Sequence, residues 1–358
     1  MKPENILNAF EEVFTEITSC TTPANEVLNT YTRSRRYIGS KDRHQLADYV
    51  WYALRHYKRL QFAFPNLSWK ERVQQKLPDL LSTPNDVAWE VPAWMIPLVP
   101  NATVELPALL ELPPIVLRVN GDRAKVVKTL LLHNIHSVIT KLSPYGLILN
   151  TRTNLNTNPL FLNGTLEIQD EGSQCIALDV QVKPKDKVLD FCAGGGGKSL
   201  CFAQVMQNQG VIWAHDISQR SLNQLLKRAA RAHITIIKTT TNTDDLPNGF
   251  DKVVVDAPCS GTGIWRRCPD ARFKLTQNHV ADLVKKQQEI LHTAAQFVKP
   301  GGDLYYMTCS LLTPENEEQA ATFLKTHPDF QQIMQKRYSP ATTHTDGFFV
   351  AHFRRHHA

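Results

Sequence analysis

The chain has 358 residues, of which 42% are hydrophobic and 21% charged, with a formal net charge of +6. That length and apolar content suit an ordinary globular protein of two or three packed domains. No stretch approaches the roughly 18 apolar residues of a membrane span, and the polar, mixed-charge start from Met1 to Phe10 does not resemble a secretory signal, so a cytoplasmic protein with no membrane partner is expected. Seven cysteines (20, 175, 192, 201, 259, 268 and 309) show none of the paired Cys-x-x-Cys spacing that grips zinc. Reduced thiols are expected, with neither structural disulfides nor a bound metal.

In chain order, residues 1–65 read as a helical module. Leu46, Tyr49, Val50, Ala53, Leu54, Tyr57 and Leu60 recur at three-and-four spacing, which makes one apolar stripe. Between Tyr31 and Arg72 stand ten Lys/Arg and three acids, with Tyr31, Tyr37, Tyr49, Trp51, Tyr52 and Tyr57 interleaved. Two readings fit: a surface that neutralises phosphates and stacks bases, or a solvated helix face over a core. Prolines recur through 66–112, which predicts a linker with short helical pieces. Residues 113–168 read as a small α+β unit, with a strand at Ile115–Asn120, a helix at Lys125–Asn134 and two short apolar runs at Val138–Leu142 and Gly146–Leu149.

From 169 to 358 the pattern changes. Lys187–Phe191, Val211–His215, Thr235–Lys238, Lys252–Asp256 and Asp303–Met307 are short buried strands. Helices are expected between several of them, at Ser199–Asn208, Ser218–Ala232 and Val280–Val298. This alternation predicts a doubly wound, mostly parallel Rossmann-like sheet.

Three motifs lie at strand ends. Val188-Leu-Asp-Phe-Cys-Ala-Gly-Gly-Gly-Gly-Lys-Ser199 runs from a strand through four glycines into a helix, where backbone can approach a ligand closely and free N–H groups are available. A phosphate-binding loop fails because its first required glycine falls on Cys192. An S-adenosylmethionine site fits better, with Asp216 at the end of the second strand to accept ribose hydroxyls. A dinucleotide site would use the same acid, and a helix-capping role for Asp216 is the plainer alternative. The second motif is Asp256-Ala-Pro-Cys-Ser260 and the third Thr308-Cys-Ser310. Cys259 and Cys309 should project into one crevice, whereas Cys20, Cys175 and Cys201 read as small core residues.

Together with Gln169-Asp-Glu-Gly-Ser-Gln174, Arg266-Arg-Cys-Pro-Asp270, Pro314-Glu-Asn-Glu317 and Asp346-Gly-Phe-Phe-Val-Ala351, these motifs make residues 113–355 resemble the RsmB (Sun/Fmu) family of RNA cytosine-5 methyltransferases, related to the Nop and NSUN enzymes. The resemblance implies a class I methyltransferase sheet, S-adenosylmethionine as cofactor, and RNA as partner, ribosomal first and transfer RNA second. It implies that Cys309 attacks carbon 6 of cytosine, that Cys259 assists release, and that Asp256 contacts the base. Local sequence alone does not divide the two cysteines' roles. It further implies a cofactor pocket lined by Cys192, Ala193, Gly194, Gly195, Gly196, Gly197, Lys198, Asp216 and Asp256, an RNA-guiding role for the α+β unit, and a shortened NusB-like identity for the helical start. Lys198 is also a candidate for activating the nucleophilic thiol, and a monomer is expected. Two positions depart from the family pattern. Gly194-Gly195 replace an Ala-Pro pair, and Thr239 to Thr243 occupy the place of a third-strand acid, with Asp244 and Asp245 slightly later. These departures suggest a second reading, an RNA-binding or ribosome-assembly protein with a vestigial cofactor site.

Overall fold

The computed structural model describes residues 1–78, 83–151 and 153–357. Positions 79–82 of the expected linker and position 152 of the expected α+β unit lie outside the described residues. The chain forms two compact units, one of Met1–Leu112 with Ile264–His279, the other of Pro113–Gly263 with Val280–Ala358.

The first unit is helical. Helix Pro3–Ser19 buries Ile6, Phe10, Val13, Phe14 and Ile17, the stripe expected of three-and-four spacing, and its proline sits where a missing N–H does no harm. Helices Ala24–Ser34 and Ser40–Arg55 complete the core through Val27, Leu28, Tyr31, Leu46, Val50 and Leu54. Tyr49, Trp51, Tyr52 and Tyr57 pack against this core, and Tyr57 meets Trp69 at 4.7 Å and Phe273 at 4.3 Å. Of the six interleaved aromatics only Tyr37 is well exposed, at 69%. Tyr31 is buried and the other four are half-buried against the core, which suits the reading of a helix face over a core. Arg33, Arg36, Lys41 and Arg43 do face solvent, but Arg72 is buried and donates to the Phe64 and Pro65 carbonyls, each at 2.9 Å.

The proline-rich stretch contributes short helical pieces at Trp69–Arg72, Asn85–Ala88, Ala93–Leu98 and Ala102–Ala108. The late segment Ile264–His279 is fastened to this unit by specific bonds. Asp270 accepts the Ala24 N–H at 3.0 Å, Arg55 donates to the Arg266 carbonyl at 3.2 Å, and Arg272 donates to the Leu109 carbonyl at 2.7 Å.

The second unit carries two sheets. Strands β1 (Ile115–Val119), β2 (Ser137–Ile139), β3 (Gly146–Leu149) and β4 (Leu166–Ile168) pair antiparallel in the order β2-β3-β1-β4. Helix Arg123–Leu132 between β1 and β2 is capped by Asp122, which accepts the Ala124 N–H at 2.8 Å.

The larger sheet has β5 (Lys187–Asp190), β6 (Val211–His215), β7 (Ile237–Thr240), β8 (Phe250–Asp256), β9 (Val298–Thr308), β10 (Phe330–Tyr338) and β11 (Phe348–Arg355). Its order is β10-β11-β9-β8-β5-β6-β7. Strands β5 to β9 run parallel, and β10 and β11 add an antiparallel edge, so the sheet is mixed. The fold is an α/β sheet of class I methyltransferase type with an N-terminal helical region. The order reverses at β5, which lies between β6 and β8; such a switch point opens a crevice at the carboxyl ends of the strands. Among the described residues no helix is long and apolar enough to cross a membrane.

Candidate active site

Both cysteine motifs leave neighbouring parallel strands at the same edge. In the β8–β9 pairing Asp256 lies opposite Met307, and the Ala257 N–H donates to the Met307 carbonyl at 2.9 Å. Cys259 and Cys309 follow within three residues of these positions. Their Sγ atoms stand 3.4 Å apart, and both side chains are half-buried. The hydrogen bond shared with Cys309, then burial, then the charges of Cys309 and Glu315, push the Cys259 thiol well above its ordinary value. By contrast, burial pushes the Cys175 thiol up to about 12, and Cys201 is fully enclosed.

The glycine-rich motif follows β5. Gly194 and Gly196 have φ of +52° and +80°, and helix Gly197–Val205 begins directly after them. Two adjoining cavities flank this loop. One, of about 490 Å³, is lined by Phe191, Cys192, Asp216, Ile217, Asp256, Pro258, Lys286 and Ile290, among others. The other, of about 360 Å³, is lined by Gln169, Asp190, Cys192, Ala193, Gly194, Gly195, Gly197, Lys198, Arg228 and Asp256. The structure thus gathers the predicted pocket residues around two cavities that share Cys192 and Asp256. Gly196 lines neither; a Cβ there would lie 2.4 Å from Leu225 Cγ, so its place is in the packing beneath the loop.

Asp216 Oδ2 accepts the Gly194 N–H and Oδ1 the Ser218 N–H, both at 2.8 Å. It therefore organises its own turn and anchors the loop as well. Lys198 is buried and paired with Asp256 through Nζ and Oδ2. Burial opposes its charge, but Asp256 and the more distant Asp190 hold the ammonium above its ordinary value. Asp190 is fully buried; Ser199 donates to its Oδ2 at 2.5 Å, while Oδ1 has no hydrogen-bond partner among the described residues. Burial raises this carboxyl to about 6. After β7, Thr241, Asn242 and Thr243 line a further cavity with Phe191, His215 and Ile217. Asp244 and Asp245 do not, and Asp245 instead accepts the Thr240 hydroxyl at 2.8 Å.

Comparison with known proteins identifies the family. The model of the 16S rRNA methyltransferase RsmB/F family matches residues 176–354, which is 179 of 358 residues. The chain belongs to the RsmB/F family. It is 33% identical over 270 residues to the probable ribosomal RNA small subunit methyltransferase B of Bacillus subtilis (strain 168), an alignment that takes in 68% of this chain and 60% of that protein. The chain therefore spans less than two thirds of that RsmB relative's length. The crystal structure of PH0851 matches 99% of both chains with a TM-score of 0.82 at 21% identity, a likeness of fold. NSun6 from Pyrococcus horikoshii, solved with the S-adenosylmethionine analogue SFG, covers 76% of this chain and 98% of its own at a TM-score of 0.67 and 18% identity.

Four residues escaped sequence reasoning. Lys286 and Arg228 come from helices whose charged residues give no local sign of facing a cavity. Asp190 lies at the end of β5 inside the glycine-rich motif, where its letter gives no sign of a role beyond the strand. Glu315 lies in the quoted Pro314-Glu-Asn-Glu317 run, and its burial without a cation among its hydrogen-bond partners is visible only in three dimensions.

Proposed function

We propose that this chain transfers a methyl group from S-adenosylmethionine to carbon 5 of a cytosine in RNA, with small-subunit ribosomal RNA as the first substrate to test and transfer RNA as the second. The observation that carries the reading is the pair of thiols 3.4 Å apart, beside an Asp256 that also lines both cavities. Membership of the RsmB/F family supports it, and the name of the Bacillus relative directs attention to the small ribosomal subunit.

The residues present suit the cofactor. The glycine loop permits close backbone approach, Asp216 can accept two ribose hydroxyls, and Asp190 Oδ1 is a buried acceptor without a hydrogen-bond partner among the described residues. Residues 192–198 with Asp216 and Asp256 would hold it, and when bound it supplies an electrophilic methyl group.

Carbon 5 of cytosine is too weak a nucleophile to take a methyl group unaided. Addition of the Cys309 thiolate to carbon 6 makes the ring enamine-like, so that carbon 5 can attack. Asp256 hydrogen-bonds the exocyclic amine or the protonated ring nitrogen, stabilising charge on the base. Lys198, ion-paired with Asp256, holds that carboxylate in place. Release requires loss of the carbon 5 proton and cleavage of the bond from sulfur to carbon 6. While Cys309 is free, its hydrogen bond, together with burial and the charges of Cys309 and Glu315, raises the Cys259 thiol above its ordinary value. Once Cys309 is a thioether it carries no charge, and Cys259, 3.4 Å away, is placed to assist release in the second half of the reaction.

Incubation with labelled S-adenosylmethionine and total RNA should yield labelled 5-methylcytosine; none at any salt concentration refutes the activity. Bisulfite sequencing of RNA from a strain lacking the protein should lose one methylated position in small-subunit ribosomal RNA. Loss at a transfer RNA position would reassign the substrate.

A further inference from the structure

Glu315 closes the short turn Thr313–Glu315 beyond β9 and is fully buried. Its Oε1 accepts the Ser260 backbone N–H at 2.8 Å and the Gln287 amide at 3.0 Å. Its Oε2 accepts the hydroxyls of Ser260 and Ser310, each at 2.5 Å. A buried carboxylate is costly, and this one is retained by four donors in place of a cation. Two of those donors belong to the residue that follows Cys259, and a third to the residue that follows Cys309.

We propose that Glu315 is a positioning residue for the two-cysteine reaction: one carboxylate, bonded to the residue after each cysteine, sets the approach of Cys259 Sγ to Cys309 Sγ. This inference rests on the reading of the site given above. The two turns lie 50 residues apart in sequence, and no covalent link ties them. The Gln287 amide that reaches Glu315 also donates to the Pro258 carbonyl at 3.0 Å, so the residue before Cys259 is held by the same network. Asn316 secures the other turn, accepting the Thr308 hydroxyl at 2.5 Å and donating to the Ser310 carbonyl at 2.9 Å. Glu315 touches neither thiol; it acts through the serines.

The test uses the full chain with Glu315→Gln, which keeps shape, and Ser310→Ala, which removes one arm. Thiol proximity is read first, with diamide as oxidant. Cys259 and Cys309 lose two protons and two electrons to its azo bond and form a disulfide, mapped by peptide mass. Both variants should form that disulfide about tenfold more slowly than wild type while their melting temperatures stay close to it, and disulfide formation at the wild-type rate in both overturns the proposal. Catalysis is read second. A displacement on the order of 1 Å costs about 100-fold in rate, so kcat should fall by about that factor in Glu315→Gln, with the KM for RNA and the Kd for S-adenosylmethionine within about threefold. Unchanged kcat with weakened binding also overturns it. Should wild-type protein show no methyl transfer, the functional reading fails while the disulfide rates still decide the role of Glu315. Should Glu315→Gln not fold, Ser310→Ala decides alone.

Discussion

The cysteine edge and the glycine loop of the same sheet are built on opposite plans. Around Cys259 and Cys309, Glu315, Asn316, Gln287 and Thr262 bond to almost every flanking residue, and the Gly263 N–H donates to the Cys309 carbonyl at 2.9 Å. Among the described residues the loop from Gly194 to Gly197 has three external side-chain holds, Asp216 on the Gly194 N–H, Arg228 on the Gly195 carbonyl and, at a longer 3.4 Å, Gln169 on the Gly197 carbonyl. Covalent chemistry needs its atoms placed in advance, whereas a glycine loop can take its final shape around a ligand at some entropic cost. The contrast makes substitutions at the two places fail differently.

The largest effect belongs to the cysteine edge. Cys309→Ser should reduce methyl transfer to background, and Cys259→Ser should accumulate a protein–RNA adduct visible on a denaturing gel. An adduct that persists without Cys309 would reverse the roles of the two thiols.

Within the loop, Gly196→Ala combines positive φ with a clash on Leu225 and should lower stability by roughly 2–4 kcal/mol in urea unfolding. Gly194→Ala meets nothing within 4 Å and should cost only about 1–2 kcal/mol of backbone strain. Equal losses at both positions would mean that loop packing is not what singles out Gly196.

Asp190 supplies a pH signature. Burial raises its folded value to about 6, above its ordinary 3.8, so the unfolded chain ionises first as pH rises. Wild-type stability should therefore fall by roughly 3 kcal/mol between about pH 4 and pH 6 from this group alone, and Asp190→Asn should lack that component of the slope. The smallest effect is expected of Arg228→Ala. Loss of one charge-assisted bond to the loop should weaken S-adenosylmethionine binding about tenfold by calorimetry, with kcat at saturation little changed. A collapse of kcat instead would erase the distinction between the two regions.

Much of the larger sheet was legible because buried parallel strands such as Val253–Val255 read as unbroken apolar runs. Its antiparallel edge was not. β10 alternates Phe330 and Tyr338 with exposed Gln331, Gln332 and Lys336 in between, and an edge strand wetted in this way gives a weak signal. The third strand begins at Ile237, two residues later than its expected start, because Thr235 and Ile236 lead into the sheet without joining the paired register. Spacing placed Cys259 and Cys309 at one crevice but could not foresee Glu315, whose partners come from three separate stretches of chain. Tyr49, Trp51, Tyr52 and Tyr57 carry the same letters whether they stack on bases or pack on the helical core, and only the tertiary packing shows which.

The passage of Ile264–His279 into the helical unit has a consequence for synthesis. Ala24 must wait 246 residues for Asp270, and Arg55 must wait 211 residues for Arg266. On the ribosome the three first helices emerge long before the segment that completes them, so they stay open on one side until most of the sheet has been made. Contacts of such sequence separation are late and slow to form. The unit that is translated first therefore cannot be finished until the first four strands of the larger sheet, β5 to β8, have been made.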